Sequence, residues 1–297
     1  MRYPGGKNGA GVFQTLINQI PPHAFYIEAF VGSGAVYRQK SRCSSIVIDA
    51  DAHVAARWAS VAESEPDLIA LHGDATSTLG IFAERQLLSS RVFIYCDPPY
   101  VRSTRRSASP IYKHEMTDED HTRLLRLLRC LPCQIMVSGY LSELYLSQLP
   151  NWRRLDFSTM TRGGPAVESL WMNYPEPAAL ADYSYLGANF RERQDFKRLR
   201  ERWRARLAGM SALKRQALMQ ALSDLAAAEP PIAAGDLGPS ADLQRVAIGL
   251  IGGSGPARAG CMSEAVTPSG VGVCLPLGTS CEICRQAPRA LQHRPPG

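Results

Sequence analysis

The chain has 297 residues, 45% of them apolar and 20% charged, with a formal net charge of +6, enough for one large domain or two small ones. No apolar run approaches the ~20 residues that span a bilayer. The start, Met1-Arg2-Tyr3-Pro4-Gly5-Gly6-Lys7, lacks the apolar core of an export signal, so no membrane partner and a cytoplasmic location are expected.

Tyr3 to Lys7 reads as a Pro-Gly-Gly turn ending in a lysine, followed by a helix over 12–19 that Pro21-Pro22 stops. Residues 25–30 form a β-favouring run, and Gly32-Ser33-Gly34 makes a tight turn into a helix over 35–40. Strands are predicted at 45–49, 68–71 and 92–96, with helices at 53–62 and 79–89 between them. Thr117, with Asp120 three residues on, starts a leucine-rich helix over 118–131. A fifth strand at 133–138, a short helix at 141–148 and a terminal hairpin of 153–160 with 167–174 follow. Strands alternating with helices at this pitch predict an α/β, Rossmann-like fold, with a mostly parallel sheet covered on both faces.

Three regions are expected: a catalytic domain over 1–180, a basic helical extension over 181–228, and a tail over 229–297. Residues 187–215 hold ten Lys/Arg, including Arg191, Arg193, Lys197, Arg198 and Arg200, against three acids, so this stretch carries +7 and the remainder −1. A localised excess suits a strand of phosphates; a solvated basic helix without a partner is the alternative. The second half of the block is amphipathic and is expected to pack on the domain as a helical hairpin. The tail has eleven Gly and nine Pro among 69 residues, a composition that predicts disorder. Of the eight cysteines, Cys130 and Cys133 are read as straddling a helix end and a strand start. The four in the tail, Cys261, Cys274, Cys281 and Cys284, match no common zinc-finger spacing, and no metal is expected.

The chemistry centres on Asp97-Pro98-Pro99-Tyr100, which ends the apolar run 92–96. Two prolines fix the backbone after a buried strand and remove two N–H donors. Such a turn presents a carboxylate, outward carbonyls and an aromatic ring. The carboxylate and the Pro98 carbonyl can accept both hydrogens of a planar NH2 group, raising electron density on its nitrogen, while the ring stacks on the base. A structural strand end with a Pro-Pro turn is the plainer alternative. The Gly32-Ser33-Gly34 turn lets a ligand approach backbone N–H groups. Asp49 at the next strand end can bind a ribose diol, and Asp74 at the third can accept from an adenine amino group.

Five segments resemble, in the family's order, the alpha-group adenine-N6 DNA methyltransferases, the DNA adenine methylase family, over roughly residues 1–175. Tyr3-Pro4-Gly5-Gly6-Lys7 resembles its aromatic-x-Gly-Gly-Lys motif, which implies closure of Tyr3, Gly6 and Lys7 over the methionine end of S-adenosylmethionine. Tyr26 to Gly34 resembles its cofactor loop, with Ala29 where proline is usual, and implies Glu28, Phe30, Gly32 and Gly34 as cofactor residues. Asp49-Ala50-Asp51 is similar to its ribose motif, Asp97 to Tyr100 to its catalytic motif, and Glu168 to Tyr174 to its late strand ending in Asn-Tyr. The resemblance implies methyl transfer from S-adenosylmethionine to adenine N6 in a flipped-out DNA base, with Asp97, Pro98, Pro99 and Tyr100 as catalytic residues. Cytosine N4, adenine in RNA, and a catalytically idle binder of nucleic acid are the alternatives.

One departure is marked. The family's target-recognition domain lies between the third strand and the catalytic motif, and here 22 residues separate Asp74 from Asp97. Contact with DNA then falls to the loop after the motif, with Arg102, Arg105, Arg106 and Lys113, or to the basic block. Both suit phosphates better than base edges. Low or very short sequence specificity is expected, as in a phage or restriction-modification enzyme; a compact reader of a 2–4 base site is the rival. His114 and His121 are read as surface or phosphate contacts, and Tyr112 and Tyr140 as structural or base-stacking tyrosines.

Overall fold

The structure, a computed structural model, describes residues 6–105, 111–161, 164–228 and 240–252. Strands β1 (Phe25–Ala29), β2 (Ser44–Asp49), β3 (Leu68–His72), β4 (Val92–Cys96), β5 (Gln134–Gly139), β6 (Arg153–Thr161) and β7 (Gly164–Met172) form one sheet in the order β3-β2-β1-β4-β5-β7-β6. The first five are parallel, and β7 runs antiparallel to β5 and β6. This is the Rossmann-like α/β arrangement with a mostly parallel sheet that the strand-helix alternation predicts, closed by the expected hairpin.

Every residue of β1 and β4 is buried, so β4 reads as a continuous apolar run, and β1 does so but for Glu28, rather than alternating. Their alternate side chains feed two cores. Phe25, Ile27 and Ala29 of β1 join Val92, Ile94 and Cys96 of β4 on one face. Tyr26, Phe93 and Tyr95 join Met136, Leu170 and Met172 on the other. Helices α1 (Val12–Ile17), α2 (Ala35–Gln39), α3 (Ala52–Ala62), α4 (Ala75–Glu84), α5 (Asp118–Cys130) and α6 (Glu143–Gln148) complete the layers. Thr117 and Asp120 make the reciprocal capping box read from the sequence. Helix α4 begins four residues earlier than predicted, because the Asp74 side chain caps it by accepting from Ser77 N–H. Cys130 ends α5 exposed and Cys133 is buried before β5, as expected.

Two expectations fail beyond residue 180. Helices α7 (Phe190–Ala208) and α8 (Ala212–Ala228) form, but α7 buries none of its residues. Leu213, Met219, Leu222 and Leu225 of α8 are more than 60% exposed, so the block does not pack onto the sheet. With eight Arg/Lys and three acids in 19 residues, α7 leaves Phe196, Leu199, Trp203 and Leu207 as an apolar stripe, narrower than a core-facing helix presents. Conversely, helix α9 (Ser240–Gly252) lies inside the segment expected to be disordered. Its Leu243 and Ala247, one turn apart, are fully buried in the core shared by β1 and β4. The four cysteines of the tail lie outside the described residues.

Candidate active site

Strand order reverses between β1 and β4, and ligands of open α/β sheets bind beyond the carboxyl ends of the strands at such a point. The register sets Ala29 beside Cys96, so the turn after β1 and the turn after β4 leave the sheet side by side. Between them lies a cavity of about 290 Å³. Gly6, Lys7, Glu28, Phe30, Gly32, Asp49 and Asp74 line it together with Asp97, Pro98 and Pro99. Sequence positions spread over 94 residues thus converge on one cleft.

The β1 turn is held in shape by the chain itself. Phe30 and Gly32 both adopt positive φ, 65° and 48°. Gly32 N–H donates to Asp49 Oδ2 at 2.8 Å, and Asp51 N–H donates to Asp49 Oδ1 at 2.9 Å. Each carboxylate oxygen retains a lone pair for a ligand hydroxyl. Burial pushes the Asp49 carboxyl above its usual range, with the two backbone donors working against it. Gly34 does not line the cavity. A Cβ there would meet the Trp58 ring at 2.1 Å, at φ +62°, so its glycine is required by packing and not by a ligand.

Glu28 is buried on β1, its Oε2 accepting from Tyr26 Oη at 2.7 Å and Tyr37 N–H at 2.9 Å. Burial, with the Asp97 charge adding to it, pushes its carboxyl up to about 7. A buried carboxylate held so high is stabilised by any cation that enters the cavity. Asp74 caps α4 through Oδ1, which accepts from both Ser77 N–H and Oγ at 2.8 Å. Three acids on one wall suit a ligand that carries a positive charge, a diol and an amino group.

On the opposite wall, Asp97 Oδ1 accepts from Lys7 Nζ at 2.7 Å and from Ser138 Oγ at 2.7 Å. Among the described residues no donor reaches Oδ2, which leaves it open to a hydrogen donor in the cavity. Lys7 Nζ also donates to Tyr100 Oη at 3.1 Å and lies 3.2 Å from Glu168 Oε2. Tyr100 Oη in turn donates to Glu168 Oε1 at 3.1 Å. Burial works against the Lys7 ammonium, yet Asp97, Tyr100 and Glu168 together hold its pKa well above the ordinary value. Lys7 therefore braces the acid of the Pro-Pro turn. Its partners Asp97 and Glu168 lie 90 and 161 positions away in the chain, and Lys7 also lines the cavity where the sequence places the cofactor.

The Tyr100 ring, 7% exposed, is stacked against Tyr140 with centroids 4.2 Å apart. A base reaches that face of the ring only where Tyr140 gives way. From the loop after the turn, Tyr112 lines the cavity, set edge-on to Tyr100, and His114 and Met116 follow it there. The charged loop after the motif was the only signal for this rim.

Several assigned contacts change. Arg105 is not available to phosphate: its guanidinium pairs with Glu115 at 2.6 Å, donates to the Tyr100 carbonyl and has a side chain 5% exposed. That pair holds Glu115 down to about 2 and pins the loop to the catalytic turn. His121 is not a surface contact, since it is fully buried with Nδ1 3.1 Å from Tyr145 Oη. Lys113 is 57% exposed and pairs with Asp51. Arg102 is exposed. On α7, Arg191, Lys197, Arg198 and Arg200 are exposed, while Arg193 is half-buried against the Gly187 carbonyl. Tyr3 and Arg106 lie outside the described residues.

No protein-family model and no curated protein matches the chain. Among solved structures, a SAM-dependent methyltransferase from Agrobacterium tumefaciens is similar over 55% of this chain and 60% of its own length, at 15% identity and a TM-score of 0.38. The putative methyltransferase yhhF from Escherichia coli is similar over 58% of this chain and 97% of its own, at 16% identity and 0.37. The 23S rRNA methyltransferase ErmE is similar over 66% and 84%, at 10% identity and 0.38.

Proposed function

We propose that the chain transfers a methyl group from S-adenosylmethionine to N6 of adenine in DNA. One observation carries the reading: Asp97, with Oδ1 filled by Lys7 and Ser138, opens onto the same cavity as Glu28, Asp49 and Asp74. The acid wall fits this cofactor. Asp49 would hold the ribose diol, Asp74 the adenine amino group, and Glu28 the cationic methionine end. When bound there, the cofactor supplies an electrophilic sulfonium methyl.

The chain's residues act on the other reactant. Asp97 Oδ2 and the Pro98 carbonyl accept the two hydrogens of the exocyclic amine, which localises its lone pair on nitrogen. Lys7 and Ser138 hold Asp97 still, so the amine meets a preorganised acceptor rather than a mobile one. Tyr112 and the Pro98-Pro99 turn flank the base and exclude water. No step needs a metal.

DNA as the substrate polymer is supported by α7. Its 19 residues extend about 28 Å and carry eight Arg/Lys against three acids, with no residue buried. Such a surface tracks phosphates and carries no sequence information, and Trp203, 51% exposed, can stack on an unpaired base. With 22 residues between Asp74 and Asp97 there is no space for a recognition domain in the family's usual place, which supports low or very short specificity.

The test is incubation of the full chain with labelled S-adenosylmethionine and DNA free of N6-methyladenine, followed by nucleoside analysis. Label in N6-methyladenine is expected at many sequence contexts. Label in N4-methylcytosine, or in RNA alone, overturns the substrate; bound cofactor with no label in any base overturns the activity.

A further inference from the structure

The reading above uses Asp97 and leaves Glu168 without a role. Glu168 is a carboxylate with a side chain 4% exposed, in a site that already holds Glu28 and Asp97. Buried carboxylates are costly unless they act on a neighbour. Antiparallel β7 delivers it there: Ser169 pairs with Gly139 at the end of β5, so β7 enters the sheet at the edge where the parallel strands finish. We propose that Glu168 is a positioning residue for methyl transfer, holding Lys7 and Tyr100 so that Asp97 keeps Oδ2 open and negative for the amine. The proposal rests on the methyl-transfer reading.

The geometry gives the reason. An ammonium 2.7 Å from Asp97 Oδ1 fixes that acid but also draws off the negative charge with which it must attract amine hydrogens. Without a second anion, the attraction of the Lys7 ammonium would fall more fully on Asp97. Glu168 prevents this from two sides. Its Oε2 lies 3.2 Å from Lys7 Nζ and shares the positive charge. Its Oε1 accepts from Tyr100 Oη, which orients that hydroxyl so that its oxygen receives Lys7. Lys7 is thus held at a three-way junction of Asp97, Tyr100 and Glu168.

The charged and titratable groups facing Glu168 are Lys7 from the N-terminal segment and Asp97 and Tyr100 from the turn after β4. Burial raises the Glu168 carboxyl above its usual range, and Lys7 works against that rise. Protonating Glu168 removes one of the two anions that share Lys7, so transfer should fall on the acid side.

The experiment compares the full chain with Glu168→Gln and Glu168→Asp. Glu168→Gln keeps the shape and loses the charge. Its kcat is expected to fall about 10- to 100-fold, with S-adenosylmethionine affinity within about twofold and the acid limb of the kcat profile altered. Glu168→Asp is expected to recover part of the rate and to retain an acid limb. In the unloaded protein, Glu168→Gln should lower Tm in the wild-type background and much less in a Lys7→Met background. A Glu168→Gln variant with wild-type kcat and pH profile, or additive Tm shifts, overturns the assignment. A wild-type chain that binds cofactor and methylates no base overturns the underlying reading instead.

Discussion

The cleft and the C-terminal helices carry opposite kinds of charge. Around Asp97, the charges are buried and each has a defined partner: Lys7, Glu168 and Tyr100 form a closed set within 3.2 Å of one another. On α7 the Arg and Lys side chains are largely exposed, and the ion pair seen there among the described residues, Arg198 with Asp195, is an i,i+3 surface pair. The first arrangement fixes the position of each atom by several partners and is sensitive to any single loss. The second sums a field over about 28 Å and tolerates losses one at a time. Chemistry on a single nitrogen needs the first; gripping a polymer of phosphates needs the second.

Removing one member of the buried set should have the largest effect on stability. Lys7→Met leaves Asp97 and Glu168 facing each other without a cation, and breaking such a pair costs about 3–5 kcal/mol. Thermal unfolding should register a drop of many degrees; a Tm within a degree of wild type would mean that the buried set is not held by Lys7.

Burial also gives the interior a pH response that α7 lacks. Desolvation pushes the His121 imidazole down to about 4, against about 6.5 in an unfolded chain. The unfolded state then binds the proton more readily. The stability this group contributes is complete above about pH 6.5 and is lost as pH falls toward 4, by roughly 3 kcal/mol in total. His121→Leu should flatten the denaturant midpoint across that window. An unchanged slope in the variant would assign the acid sensitivity to groups other than His121.

The exposed side should respond the other way. Arg191, Arg198 and Arg200 replaced together by Gln should leave Tm nearly unchanged, since substitutions at such surface positions stay within about 0.5 kcal/mol each. Affinity for DNA should fall, and the slope of log affinity against log salt should drop by about 3, close to one per phosphate contact. An unaltered salt slope would remove α7 from the DNA surface and leave Arg102 and Lys113 as the remaining exposed candidates.

The same contrast explains what could be read from the sequence. Local signals were legible: the apolar run into Asp97-Pro98-Pro99, the Thr117–Asp120 box, and the acids at the ends of β1, β2 and β3 all stand where pattern and turn chemistry put them. Pairings across the chain were not. Nothing near Lys7 points to Asp97, and nothing near Ser138 points to the same oxygen 41 positions away. Arg105 looked like a phosphate ligand because its partner Glu115 lies across a loop whose path the sequence does not specify. Gly34 matched a ligand-binding pattern, yet Trp58, distant in sequence, is what excludes a side chain there. Helix α9 was masked by glycines and prolines around it, although Leu243 and Ala247 carry helical spacing. In α7 and α8 the helices were legible, but a helix pattern does not say whether a partner surface exists.

The most direct test separates the two walls of the cleft. S-adenosylmethionine binding and methyl transfer to DNA would be measured side by side for the wild type and for Asp97→Ala. The account predicts that Asp97→Ala binds the cofactor, because Glu28, Asp49 and Asp74 remain, while transfer falls by about 10³-fold or more. Asp97→Ala transferring at the wild-type rate would contradict it.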